Sequence, residues 1–119
     1  MTLVSLVTGG SSADRERAIA KAVTAGEPCA AIIEGLPSGD GALDSLASES
    51  IEVVRVAPGC PCCHGNLTVR VTLNRLLRRA PSRLYLSLLS NAHRDQILAF
   101  LQEPQYRERL TIGADMRCG

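Results

Sequence analysis

The chain has 119 residues, 45% of them hydrophobic, and 13 basic against 12 acidic side chains leave a formal net charge of +1. This is one domain's length with enough apolar residues for a core, which excludes a disordered segment. The charges are spread along the chain, which argues against nucleic acid or an anionic membrane surface as the partner.

No apolar run approaches the roughly 18 residues of a membrane span. The start, Met1 to Val7, lacks a basic n-region and an A-x-A-like cleavage site, so a cytoplasmic location is expected. Thiols stay reduced there. Five cysteines, an odd number with three inside four positions, then point to metal or redox chemistry over a disulfide framework. With one Phe, two Tyr and no Trp, the core must be aliphatic.

Leu3 to Thr8 is a short apolar run ending at Gly9-Gly10, the pattern of a buried strand entering a turn. Ser11 and Ser12 can cap a helix whose apolar positions Ala18, Ile19, Ala22 and Val23 recur at helical spacing, and Gly26 ends it. Cys29 to Glu34 reads as a second strand. The segment from Gly35 to Ser50, rich in Gly, Ser and Asp, reads as a connection. Cys29 opens its strand and is expected to be a small buried hydrophobe rather than a ligand.

Ile51 to Val56 is a third strand, and it delivers Ala57-Pro58-Gly59-Cys60-Pro61-Cys62-Cys63-His64-Gly65-Asn66. Asn66 can cap the next helix, which buries Val69, Leu73, Leu76 and Leu77, exposes Arg70, Asn74, Arg75, Arg78 and Arg79, and stops at Pro81. The basic face reads as solvated. Arg83 to Leu89 is a fourth strand, Asp95 to Gln102 a short helix, and Leu110 to Ala114 a fifth strand. Alternating strands and helices predict an α/β fold, a three-layer arrangement with a mostly parallel sheet of four to five strands and flanking helices, in a single domain over residues 1–119. Loops that follow strands then emerge on one edge, which gathers Gly9 to Ser12, the Cys60 to His64 loop, the segment around His93, and Cys118.

Thiolates bind borderline and soft cations because sulfur is polarizable, and the metal itself drives thiol deprotonation. Cys60 and Cys62, in C-x-C spacing, can point at one ion, and Cys63 adds a third donor if the loop turns tightly. A tetrahedral site needs a fourth donor, from His64, His93, Cys118, water or a second chain. Zn2+ is the expected ion, with Co2+, Ni2+ and Cu+ as alternatives. A thiol redox role is the competing reading of the same residues.

Gly59-Cys60-Pro61-Cys62-Cys63 resembles the G-C-x-C-C signature of the CobW/HypB/UreG family of metal-handling P-loop GTPases, and most of all its CobW-type branch. The order of elements is similar too, over a truncated stretch corresponding to about the first half of such a nucleotide domain. The resemblance implies a P-loop NTPase-like fold and a GTPase that allocates Zn2+, Co2+ or Ni2+. It also implies a phosphate loop at Gly9, Gly10, Ser11, Ser12 and Arg15, but a Walker A loop reads G-x-x-x-x-G-K-[ST]. Setting Gly9 at the first glycine puts Asp14, Arg15 and Glu16 at the last three positions. Two carboxylates are thus expected where a polyphosphate would come, and their like charge opposes it.

The expectation is a pseudo-GTPase module with Cys60, Cys62 and Cys63 as metal ligands, His64 as a candidate for the fourth, a role in metal transfer or homeostasis, and no GTP bound or hydrolysed. The alternatives are residual GTP or ATP binding through a rebuilt loop and a module that docks on a protein partner or a second copy at an exposed sheet edge.

Overall fold

The computed structural model describes residues 2–22, 28–34, 51–56, 65–88, 94–113 and 115–118. In chain order these form β1 (Thr2–Gly9), α1 (Ser12–Ala22), β2 (Cys29–Glu34), β3 (Ile51–Val56), α2 (Gly65–Leu77), β4 (Arg83–Ser87), α3 (Arg94–Leu101), α4 (Pro104–Arg107), β5 (Leu110–Ile112) and β6 (Met116–Cys118). The strands lie in the order β3-β2-β4-β1-β5, with β6 also on β1, and every pairing is parallel. The three-layer α/β architecture expected from the sequence is the one observed.

Burial on both faces explains why the strands read as continuous apolar runs. On one face, Val4, Leu6, Ala30, Ile32, Leu84 and Leu86 meet Leu73, Leu76 and Leu77 of α2, Ile97, Phe100 and Leu101 of α3, and Tyr106 of α4. On the other, Val7, Cys29, Ala31, Ile33 and Tyr85 pack under Ile19, Ala20 and Ala22 of α1, with Met116 and Cys118 of β6 beside them. Cys29 is a buried member of this smaller cluster, in keeping with a small hydrophobe.

Helix α2 turns Leu73, Leu76 and Leu77 inward and leaves Arg75, Arg78 and Arg79 exposed. Arg75 and Arg79 both reach Glu52 on β3, which ties the helix to the edge strand. Val69 and Arg70 fall where side chains lie outside the described residues. Two helix-level details refine the sequence reading. The chain leaves α2 through Ala80 at φ 49°, a left-handed residue just before Pro81, and Pro104 opens the single turn of α4.

The sheet edge after β1 departs from a single fifth strand. Thr2 faces Leu110 but Val7 faces Met116, so one extra residue is inserted between β5 and β6. Such an insertion bends a strand and breaks its pairing. Gly113 bridges the break, donating its N–H to the Val4 carbonyl at 2.8 Å. Thr111 and Arg117 are exposed along this edge. Short strands, a kink and an outward charge all blunt an edge against pairing with another chain.

Candidate functional site

Helix α1 follows β1 on one face of the sheet, while α3 follows the adjacent β4 on the other. Where neighbouring strands send their connections to opposite faces, a crevice opens at their carboxyl ends, and ligands of parallel α/β sheets bind there. In this chain the crevice falls between β1 and β4, over the Gly9 to Ser11 turn and Ser87.

The turn requires its glycines. Gly9 and Gly10 have φ of 81° and 59°. A Cβ on Gly9 would stand 2.4 Å from the Cys118 carbonyl oxygen, because β6 pairs directly against the end of β1. At Ser11 the helix starts with a reciprocal cap. Asp14 donates its backbone N–H to the Ser11 Oγ at 3.1 Å, and the Ser11 backbone N–H donates to the Asp14 carboxylate at 3.0 Å. This is a capping box, which satisfies two of the orphan donors at a helix start. The bond from the Ser11 backbone, then Arg17 at 2.6 Å, holds the Asp14 carboxyl below its ordinary pKa.

Arg15 is 2% exposed and turns back into the turn. It donates to the carbonyls of Gly9 and Gly10 at 3.0 Å each and to the Ser87 hydroxyl at 3.1 Å, joining β1, α1 and β4. A phosphate-binding turn works the other way, with backbone N–H groups and the positive end of the helix facing an anion. Here a protein carboxylate lies at the helix start and a protein cation holds the turn's carbonyls.

Glu16 corrects the expectation of two carboxylates at the turn. Only Asp14 faces it. Glu16 is 1% exposed and pairs with Arg55 near the end of β3, through Nη2 at 3.0 Å and Nη1 at 3.4 Å. Sequence reasoning missed this pair. Its signal was Arg55 itself, the one cation of β3, flanked by Val54 and Val56.

Cys60, Cys62, Cys63 and His64 lie outside the described residues, as does His93. What is described is the frame around them. Residues 57–64 connect the carboxyl end of β3 to the first residue of α2, and among the described residues β3 ends one side of the sheet. Among the remaining candidate donors, Cys118 sits on β6 beside Gly9, at the opposite side of the sheet. Four strand spacings separate it from β3, about 19 Å. Among the described residues, no three His, Cys, Asp or Glu side chains gather as a metal site. Nor is any described helix long and apolar enough to cross a membrane.

Fold and crevice together define a parallel, doubly wound type of α/β domain whose first strand-to-helix turn is filled by its own side chains. No protein-family model matches the chain, and neither a curated protein nor a solved structure gives a significant match.

Proposed function

We propose that this chain is a metal-binding module, with Zn2+ as its ion, built on a domain resembling the nucleotide domain of CobW-type GTPases whose phosphate site has been given over to internal contacts. Cys60, Cys62 and Cys63 are the metal ligands, and His64 or a donor from a second copy completes the set. The observation that carries the reading is the β1–α1 turn. The Ser11 and Asp14 N–H groups are closed in the capping box and the Arg15 guanidinium is turned onto the Gly9 and Gly10 carbonyls, so these donors, which could otherwise meet a polyphosphate, are engaged with the protein itself. The motif at residues 59–64 is then the part of the chain left with chemistry to perform.

The donor set fits the ion. Three thiolates and an imidazole satisfy the tetrahedral preference and borderline softness of Zn2+. Binding releases thiol protons, so affinity rises with pH through the thiol range. The module acts by holding or passing on the ion in the cytoplasm, alone or with a protein partner, and carries out no nucleotide hydrolysis.

Anaerobic titration with Zn2+ against a chromophoric chelator tests the reading. The expected result is about one equivalent bound per chain, or one per two chains if a second copy supplies a donor. A Cys62→Ser/Cys63→Ser variant should lose that binding. Full affinity in the double variant would overturn the assignment.

A further inference from the structure

At the end of the sheet opposite the crevice, where β1 and β5 begin, the short stretch from Arg107 to Leu110 separates two clefts. One, of about 320 Å³, lies between this stretch and the end of α2, lined by Thr2, Leu77, Arg78, Ala80, Glu108 and Arg109. The other, of about 410 Å³, has Leu101, Leu110 and Ile112 as its apolar wall and Arg107 beside them. Three arginines thus line these clefts against a single glutamate, in a chain whose formal net charge is only +1. All four charged side chains are exposed. Among the described residues none of these three guanidiniums is in an ion pair, whereas Arg75 and Arg79 reach Glu52 and Arg94 reaches Asp115.

The backbone presents them firmly. Arg109 donates its N–H to the Tyr106 carbonyl at 2.9 Å, and its own carbonyl accepts the Thr2 N–H at 3.0 Å. Arg78 donates its N–H to the Asn74 carbonyl at 3.3 Å, and the Arg107 Nε donates to the Gln102 carbonyl at 3.3 Å. Clustered like charges repel, and an anionic partner relieves that repulsion. Each exposed contact is weak, because water and salt screen it. A small anion held by one such contact gains little, whereas a chain with several carboxylates meets both clefts together. The guanidinium fork matches a carboxylate, and arginine is enriched where proteins meet. Nucleic acid fits less well. No aromatic side chain lines either cleft to stack on a base, and Glu108 repels a phosphate backbone.

We propose that the two clefts form a docking surface for an acidic segment of a protein partner, whose carboxylates meet Arg78, Arg107 and Arg109 while an apolar side chain rests against Leu110 and Ile112. The segment is held through side chains. It does not add to the sheet as a strand, because the β5–β6 edge is short and kinked. This surface goes beyond the metal reading and does not depend on it, since neither cleft contains a thiol or an imidazole.

Fluorescence polarisation with a labelled peptide of alternating Glu and Leu tests the proposal, with a peptide of alternating Gln and Leu and an oligouridylate as comparison probes. The Glu peptide should bind in preference to both, and more weakly as salt rises. Arg78→Ser/Arg109→Ser should weaken that binding by about fivefold to tenfold. This variant should melt with the wild-type chain, because neither guanidinium is in an ion pair among the described residues. Arg107→Ser should give a smaller loss in the same direction, and it carries the test if the double variant is unstable. Arg17→Ser/Arg117→Ser removes as much charge from exposed positions elsewhere and should leave affinity within about twofold. No binding of the Glu peptide, or equal binding of the Gln peptide, overturns the proposal. So does unchanged affinity in folded Arg78→Ser/Arg109→Ser, or an equal loss in Arg17→Ser/Arg117→Ser. Tighter binding of the oligouridylate also overturns it, since the partner would then be a nucleic acid.

Discussion

Two strand-to-helix turns leave the same edge of the sheet, and they differ in what their residues need. The β1–α1 turn is complete in itself. Its helix start is capped by Ser11 and Asp14, its carbonyls are held by Arg15, and its backbone is pressed against β6 at Gly9. The β3–α2 connection carries Cys60, Cys62, Cys63 and His64, side chains whose chemistry is suited to a metal ion and which lie outside the described residues. The resemblance of the Gly59–Cys63 motif to CobW-type GTPases would alone suggest nucleotide chemistry at the first turn. The contacts made by Asp14 and Arg15 favour the second instead.

Forcing the first turn open is the strongest way to break this contrast. Gly9→Ala places a Cβ against the Cys118 carbonyl at a left-handed backbone position, and should cost about 2 kcal/mol or more. Urea unfolding measures the loss. Retention of wild-type stability would show that β6 does not press on the turn as described.

A smaller effect is expected at the helix start. Ser11→Ala removes one arm of the capping box and should cost about 1 kcal/mol. The Asp14 arm carries a pH signature. Because its carboxyl titrates below the ordinary value in the folded chain, its contribution is present above the unfolded carboxyl pKa of 3.8 and is lost as pH falls through the lower folded value. Asp14→Asn should therefore flatten the acid limb of a stability-against-pH curve. An unchanged acid limb would place Asp14 outside the cap.

Most of the architecture was legible in the sequence because it rests on periodicity. The runs from Leu3, Cys29, Ile51 and Arg83, and the spacing of Leu73, Leu76 and Leu77, identify elements that bury side chains on a regular repeat. What escaped was too short to show a repeat. β6 has three residues displaced by one position from β5, and α4 is a single turn. At the site, Gly9 and Gly10 marked the turn, but charge alone did not tell where charge goes. Asp14, Arg15 and Glu16 are consecutive, and they face respectively the helix cap, the turn carbonyls and β3. Ser11-x-x-Asp14 did carry the capping-box pattern, so Asp14's role was readable locally. Glu16's was not, because its partner lies 39 positions away.

The central claim, a domain that retains a metal loop and has closed its phosphate site, is tested most directly by thermal unfolding of one anaerobic preparation in three portions. One receives Zn2+ at a hundred times its dissociation constant, one GTP with Mg2+ at millimolar concentration, and one neither. A ligand bound only by the folded chain at that excess stabilises it by about 2.7 kcal/mol. The Zn2+ portion should show an upward shift of this size, and the GTP portion should melt with the untreated protein. A shift with GTP and none with Zn2+ would contradict the account.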